Sequence, residues 1–199
     1  IVIDISQGTE DYIAVEKALA LSVVDSLSEK NNVGAVAFGY TPCTPFAITD
    51  GIKPLNEIKK DLKNKIARLK FDGQSCFNDG IQGGFQMLSK VGGSKNIIFI
   101  SDGKTTYQKL REDTLDIVRT VNSKGVKVFT VGVGTDTDAL STENNLFLAN
   151  MAALGEGIYY KADAANKLKV QFADKDETKG EEFYNTLVPI DTTHFITLA

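Results

Sequence analysis

The sequence has no tryptophan, a single histidine and only two cysteines among its 199 residues. One imidazole without an identifiable partner does not form a catalytic or zinc centre, so His194 is expected to be a surface or packing residue. No apolar run approaches the ~18 residues that a membrane-spanning helix needs. Lysine and arginine are nowhere strongly clustered, and the net charge is -4. These features argue against a nucleic-acid partner and against a membrane span in this chain.

The first eight residues, Ile1-Val2-Ile3-Asp4-Ile5-Ser6-Gln7-Gly8, combine an apolar run with polar residues that follow it. A short β-branched run of this kind predicts a strand that is buried on both faces. Asp4 and Ser6 would then lie at the carboxyl end of a central strand, where open α/β sheets bind ligands. Because the chain opens inside this strand, we expect it to be part of a longer protein.

A second apolar run, Ile97 to Ile100, ends in Ser101-Asp102-Gly103. If the two strands are parallel neighbours, Asp4 and Asp102 converge at one edge of the sheet. Two adjacent carboxylates repel each other unless a proton or a cation lies between them, so the pair predicts a metal site. The alternative is that each aspartate caps the turn or helix that follows it.

Three motifs in this order resemble those of von Willebrand factor A domains. Asp4-Ile5-Ser6-Gln7-Gly8 resembles their Asp-x-Ser-x-Ser signature, Gly73 to Gly80 is similar to their Gly-Gly-Thr-rich loop, and Ile100-Ser101-Asp102-Gly103 resembles their later Asp-Gly motif. The resemblance extends roughly from Ile1 to Ala173.

The resemblance implies a metal-ion-dependent adhesion site that binds Mg²⁺ or Mn²⁺ and leaves one coordination position for an acidic group of a protein partner. The ligands carried over by position are Asp4, Ser6, Ser75 and Asp102. Gly8 replaces the second serine of the signature, which predicts weaker or conditional metal binding; complete loss of the metal is the alternative. Candidate residues for the partner-binding rim are Gln7, Tyr40, Phe77, Asn78 and Lys104, although Tyr40 and Phe77 could equally belong to the core.

Strand and helix patterns alternate along the chain and predict an α/β fold with a doubly wound, mostly parallel six-stranded sheet. Helices cover both faces, and the third strand, 44–49, is antiparallel and at an edge because a short turn precedes it. The resemblance suggests the strand order three-two-one-four-five-six, counted along the chain. Residues 1–173 form this domain, and 174–199 are predicted to be a charged linker with a C-terminal extended segment.

The leading functional hypothesis is a non-enzymatic, metal-dependent protein-interaction module of the extracellular space or cell surface, with a cytoplasmic location as the alternative. A metal-free structural or interaction domain is a second hypothesis. A third is a Mg²⁺-dependent phosphoryl-transfer enzyme with Asp4 or Ser6 as the nucleophile, but no base accompanies Ser6. Cys43 and Cys76 could form a disulfide that braces the site, which would indicate an oxidising compartment, or could be two free thiols.

Overall fold

A computed structural model describes residues 1–6, 12–39, 43–105, 108–133, 139–162, 168–171 and 186–189 of the chain. Several residues discussed above lie outside this part. They are Gln7, Gly8, Tyr40, His194 and the charged segment 174–182.

The described strands are β1 (Val2–Asp4), β2 (Asn32–Val33), β3 (Val36–Phe38), β4 (Phe46–Ala47), β5 (Lys53–Pro54), β6 (Lys95–Ser101), β7 (Val126–Val133), β8 (Glu156–Ala162), β9 (Leu168–Gln171) and β10 (Thr186–Pro189). The described helices are α1 (Ile13–Ser26), α2 (Leu55–Ala67), α3 (Phe77–Leu88), α4 (Gln108–Ser123) and α5 (Ala139–Leu154).

The main sheet has six strands in the order β4-β3-β1-β6-β7-β8. All neighbours are parallel except β4, which pairs with β3 in the antiparallel sense at one edge. The doubly wound sheet with one antiparallel edge strand is therefore confirmed. Strands β2 and β5 form a separate small sheet, so they are left out when the main-sheet strands are counted along the chain. Counted in this way, the observed order is the predicted three-two-one-four-five-six.

The apolar run from Val33 to Phe38, a pattern that favours one continuous strand, is divided between two strands in the structure. Val33 belongs to β2 and pairs with Lys53, whereas β3 begins only at Val36. Between them, the Ala35 amide donates to Thr49 Oγ1 at 3.0 Å, and the Ala35 carbonyl accepts from the Ile48 amide at 2.9 Å. These contacts come from a distant part of the chain, so the local apolar pattern could not reveal the break.

The sheet separates two hydrophobic layers. One face packs against α1 and α2 through residues such as Ile3, Ile5, Leu19, Val23 and Leu62. The other face packs against α3, α4 and α5 through residues such as Phe38, Phe99, Ile81, Val118 and Leu148. Helices therefore cover both faces, as predicted.

Strands β9 and β10 form a two-stranded antiparallel sheet outside the main one. The backbone of β9 lies close to α1. The predicted division between 173 and 174 falls in the chain between these two strands and remains a prediction.

Helix α3 approaches the sheet closely because it presents glycines to it. A Cβ atom at Gly80 would lie 2.5 Å from Phe38 Cδ1, and one at Gly84 would lie 2.9 Å from Val2 Cγ2. Phe38 is fully buried and stacks on Phe99 with a ring-centroid distance of 5.1 Å. Little room therefore exists for a larger residue at Gly80.

We expect Gly80→Ala to lower the free energy of unfolding, although alanine favours helix. Overpacking a well-packed core costs roughly 1 to 3 kcal/mol, which outweighs a helix-propensity gain of about 1 kcal/mol. Urea denaturation measures the effect, and Gly92→Ala is the control because nothing lies within 4 Å of its added Cβ. A Gly80→Ala protein as stable as the parent would contradict the close packing of α3.

Candidate metal centre

Asp4, the last residue of β1, is fully buried, and both of its carboxylate oxygens accept hydrogen bonds. The Ser6 amide donates to Oδ1 at 2.9 Å, and the Ser101 hydroxyl donates to Oδ2 at 2.6 Å. The carboxylate is thus fixed in orientation by groups on two neighbouring strand ends.

Asp102 follows β6 directly and is only 5% exposed. The Lys104 amide donates to its Oδ1 at 2.8 Å. Its Oδ2 is buried and has no hydrogen-bond partner among the described residues. Because a buried, unpaired carboxylate oxygen is costly, this atom indicates where a ligand would be accommodated.

The two carboxylates meet because β1 and β6 are parallel neighbours, with Ile3 paired with Ile100. Burial, and secondarily the charge of Asp102, raises the pKa of Asp4 to about 7. Burial also raises the pKa of Asp102 to about 6, against the opposing effects of the Lys104 amide and of the Lys104 charge. Both groups would be stabilised as carboxylates by a cation.

The third element is the loop that carries Ser75. The Asp72 amide donates to the Ile5 carbonyl at 2.6 Å, which ties this loop to the residues that follow β1. The Ser6 and Ser75 hydroxyl oxygens lie 3.0 Å apart. The structure thus places Asp4, Ser6, Ser75 and Asp102 at the same end of the sheet.

The loop leads directly into α3. Helix α3 begins at Phe77, with Cys76 at the N-cap position and no side-chain capping bond. Asp79 lies in its first turn.

Ser101 is a site residue that the sequence analysis missed. It is fully buried; its hydroxyl donates to Asp4 and accepts from the Gly103 amide at 2.9 Å. Gly103 adopts φ +70°, and a Cβ atom there would lie 2.8 Å from the Asn144 carbonyl oxygen. The signal that could have found Ser101 is a hydroxyl at the end of an otherwise apolar, buried strand.

We expect Ser101→Ala to lower the affinity for Mn²⁺ about tenfold, because residues that orient metal ligands commonly contribute that much. Without the hydroxyl, Oδ2 of Asp4 loses its donor. Calorimetric titration measures the change, with Ser89→Ala as control because Ser89 is exposed at the end of α3. Equal affinities of Ser101→Ala and the parent would show that this hydroxyl does not orient Asp4.

The residues predicted to form a partner-binding rim have different environments. Lys104 is exposed, and its Nζ lies 6.0 Å from the centroid of the Tyr12 ring. Asn78 is half-buried, and its Oδ1 has no hydrogen-bond partner among the residues described. Gln7 and Tyr40 lie outside those residues.

Phe77 does not belong to the rim. It is fully buried, and its ring centroid lies 5.7 Å from that of Phe38, 6.1 Å from that of Phe99 and 5.4 Å from that of Phe147. The assignment of Phe77 as a partner-binding residue was therefore wrong, and the alternative core assignment is correct. As the first residue of α3, Phe77 faces the sheet together with Ile81.

A disulfide joins Cys43 to Cys76, with the two Cα atoms 5.7 Å apart. Cys76 is buried next to Ser75, whereas Cys43 is exposed. Of the two alternatives for the cysteines, the structure contains the disulfide.

The donor set suits Mg²⁺ or Mn²⁺. It consists of two carboxylates and two hydroxyls, and hard cations of this size prefer oxygen ligands and retain several waters. A bound cation would give the unpaired Asp102 Oδ2 a partner. It would also stabilise the ionised form of both carboxyls, whose pKa values are raised.

The fold and this cluster define a class: an open α/β domain with an oxygen-rich polar cluster at the carboxyl edge of its parallel strands. The family model of the von Willebrand factor type A domain matches residues 1–174, so the chain belongs to that family. None of the curated proteins compared with the chain is significantly similar to it.

Solved structures share the fold at low sequence identity. BatB from Bacteroides thetaiotaomicron is 19% identical, with a TM-score of 0.63 over 81% of this chain and 88% of that chain. The pilus adhesin SpaC from Lactobacillus rhamnosus GG is 14% identical, with a TM-score of 0.64 over 81% of this chain but 27% of its own. Proximal thread matrix protein 1 from the mussel byssus is 19% identical, with a TM-score of 0.57 over 81% and 40%, respectively.

Proposed function

We propose that this domain is a metal-dependent protein-interaction module that binds an acidic group of a partner. The observation that carries the proposal is the convergence of Asp4 and Asp102, with Asp102 Oδ2 buried and unpaired among the described residues. Asp4, Ser6, Ser75 and Asp102 would hold Mg²⁺ or Mn²⁺, directly or through water.

When bound, the cation supplies a positive centre that an anionic oxygen of a partner can approach. The chain itself supplies the two carboxylates and the hydroxyl pair. It also supplies the exposed Lys104, whose charge favours an approaching carboxylate. Asn78, beside the loop that carries Ser75, is a second candidate rim residue.

A catalytic role is not part of the proposal. Both oxygens of the Asp4 carboxylate already accept hydrogen bonds, and the side chain is fully buried. A buried carboxylate held in this way is poorly placed to attack a substrate. The arrangement therefore favours a structural ligand over a nucleophile.

We also propose an extracellular or cell-surface location. The Cys43–Cys76 disulfide supports it, since disulfides persist mainly in oxidising compartments. The fold is shared with a pilus adhesin and a byssus matrix protein but also with the SpRpn10 VWA domain, so the disulfide alone supports this location. No helix in the described part of the chain is long and apolar enough to cross a membrane.

The proposal is tested with acetate as the simplest carboxylate probe. In the presence of Mn²⁺-loaded protein, the methyl proton signal of acetate should broaden strongly, because its carboxylate reaches the paramagnetic ion. Acetamide, which has the same size and no charge, should broaden far less. Equal broadening of both probes, or equal broadening by the Asp102→Asn protein, would contradict an open cation position at this site.

A further inference from the structure

The Cys43–Cys76 disulfide lies between an edge of the sheet and the loop that carries Ser75. Cys43 precedes β4, the antiparallel edge strand, and Cys76 follows Ser75 directly. The cross-link therefore joins the loop that carries Ser75 to the segment before β4, which contributes none of the four candidate metal ligands.

Among the described residues, few other contacts anchor the loop between Leu69 and Phe77. Leu69 and Phe77 are buried, but Lys70, Phe71 and Asp72 between them are exposed. The Asp72 amide donates to the Ile5 carbonyl, and the Ser75 hydroxyl contacts that of Ser6; both contacts hold the middle of the loop. From the side of α3, Ser75 is held by the buried Cys76, which follows it directly in the chain.

The two cysteine residues differ in exposure. Cys43 is exposed, whereas Cys76 is 2% exposed and occupies the N-cap position of a helix of 12 residues. A thiolate reductant would therefore attack the Cys43 sulfur, and Cys76 would leave as a thiolate stabilised by the helix N-terminus.

A carboxylate opposes this step. Ligand atoms of Asp79, Cys43 and Cys76 all lie within 4.8 Å of one another. Because Asp79 is negatively charged, it disfavours a thiolate on either sulfur and slows reduction. Asp79 is half-buried, and this burial raises the pKa of its carboxyl.

We propose that the Cys43–Cys76 disulfide is a redox-modification site at which a dithiol controls the loop that carries Ser75, and through it the metal centre. The dithiol donates two electrons and two protons: the S–S bond between Cys43 and Cys76 breaks, both sulfurs become thiols, and the dithiol becomes its own disulfide. Release of Cys43 frees the loop, and the Ser75 hydroxyl loses its fixed position beside Ser6. The expected effect on metal binding rests on the proposed metal-binding function, whereas the expected change in the loop does not.

The first test needs no metal. Hydrogen exchange of the amides of 72–76 is compared in the oxidised protein and in protein reduced with dithiothreitol, desalted and kept under argon. We expect reduction to speed exchange of the Asp72 amide about tenfold or more, because local opening then involves a less restrained loop. Unchanged exchange of the Asp72 amide would overturn the inference.

The second test measures Mn²⁺ affinity in the same two states. We expect reduction to weaken binding about tenfold, the usual effect of losing a residue that supports a ligand. The Cys43→Ser protein should match the reduced parent and should not respond to dithiothreitol. The Asp79→Asn protein should be reduced faster than the parent, since the charge beside the leaving sulfur is gone.

The two proposals fail in distinguishable ways. If the oxidised parent binds no Mn²⁺ while reduction still speeds exchange of the Asp72 amide, the metal function fails and control of the loop stands. If both redox states bind Mn²⁺ with equal affinity, the metal function stands and redox control of the centre is overturned.

Discussion

Replacing Asp4 with asparagine is expected to stabilise the metal-free protein at pH 8 and to abolish its stabilisation by Mn²⁺. The pKa of Asp4 is about 7 in the folded protein, against an ordinary value of 3.8 for an aspartate. Holding this carboxyl ionised in the folded state at pH 8 therefore costs roughly 4 kcal/mol, at about 1.4 kcal/mol per pKa unit. Asparagine has a similar shape and no charge, so it avoids this cost.

Part of the gain is offset. One Asp4 oxygen accepts from the Ser6 amide and the other from the Ser101 hydroxyl, and an asparagine NH₂ group cannot accept. Rearranging the Ser101 hydroxyl costs about 1 kcal/mol, the usual value of one hydrogen bond. We therefore expect a net increase of about 2 to 3 kcal/mol in the free energy of unfolding at pH 8 in EDTA.

Urea denaturation in EDTA and in about 1 mM Mn²⁺ measures both effects. The parent should gain stability when Mn²⁺ replaces EDTA, by an amount that grows with the metal concentration. The Asp4→Asn protein should gain none. Asp113→Asn, an exposed substitution on α4, is the control and should behave like the parent in both conditions. An Asp4→Asn protein that is less stable than the parent in EDTA at pH 8 would contradict the electrostatic account of the site.

The metal-free parent is expected to lose stability as the pH rises from about 4 to about 7. The pKa values of Asp4 and Asp102 are about 7 and about 6 in the folded protein, above the ordinary aspartate value of 3.8. At these two carboxyls the folded state binds more protons than the unfolded state over this range, so their contribution to the free energy of unfolding falls with rising pH. The buried Ile1 amine, with a pKa lowered to about 5, opposes only part of this fall. The protonated carboxyls contribute their full stabilisation below about pH 4, and this contribution is lost as the pH rises through 6 to 7. Asp4 alone accounts for up to roughly 4 kcal/mol of it.

Saturating Mn²⁺ should reverse this slope, because the ion binds the ionised carboxylates and competes with protons. Urea midpoints between pH 4.5 and 8, in EDTA and in Mn²⁺, measure the two profiles. The double variant Asp4→Asn with Asp102→Asn is the matched control and should lack the fall in stability, so that only the rise from the buried N-terminal amine of Ile1, whose pKa burial lowers to about 5, is left. A metal-free parent whose stability rises between pH 5 and 7 would contradict the raised pKa values.

The positions of Asp4 and Asp102 could be predicted from the sequence for a simple reason. Each follows an apolar, β-branched run, and the carboxyl ends of parallel strands lie at one edge of a sheet. The same reasoning predicted the six-stranded sheet and its antiparallel edge strand β4, both of which the structure confirms.

Other features depended on contacts that local patterns do not encode. The break between β2 and β3 arises from the bonds of Ala35 to Ile48 and Thr49, which are far along the chain. In the sequence, Ser101 is simply the neighbour of Asp102 in one motif. Its hydrogen bond to Asp4 depends on the pairing of β1 with β6, which brings the two strand ends together.

Phe77 was misassigned for a different reason. Loop residues near a ligand site were expected to be accessible, whereas Phe77 already belongs to α3. Phe77, Gly80, Ile81 and Gly84 recur at steps of three and four and form one buried helix face. That periodicity was present in the sequence and would have placed Phe77 in the core.

The most direct test of the account is a titration of the chelator-treated, oxidised parent with Mn²⁺ at about pH 7.5, followed by electron paramagnetic resonance and calorimetry. The account predicts saturable binding of one ion per chain, competition by Mg²⁺, weaker binding below pH 7, and loss of binding in the Asp102→Asn protein. Absence of saturable binding at millimolar Mn²⁺ would contradict the account, because Asp4, Ser6, Ser75 and Asp102 would then form a polar cluster that holds no cation.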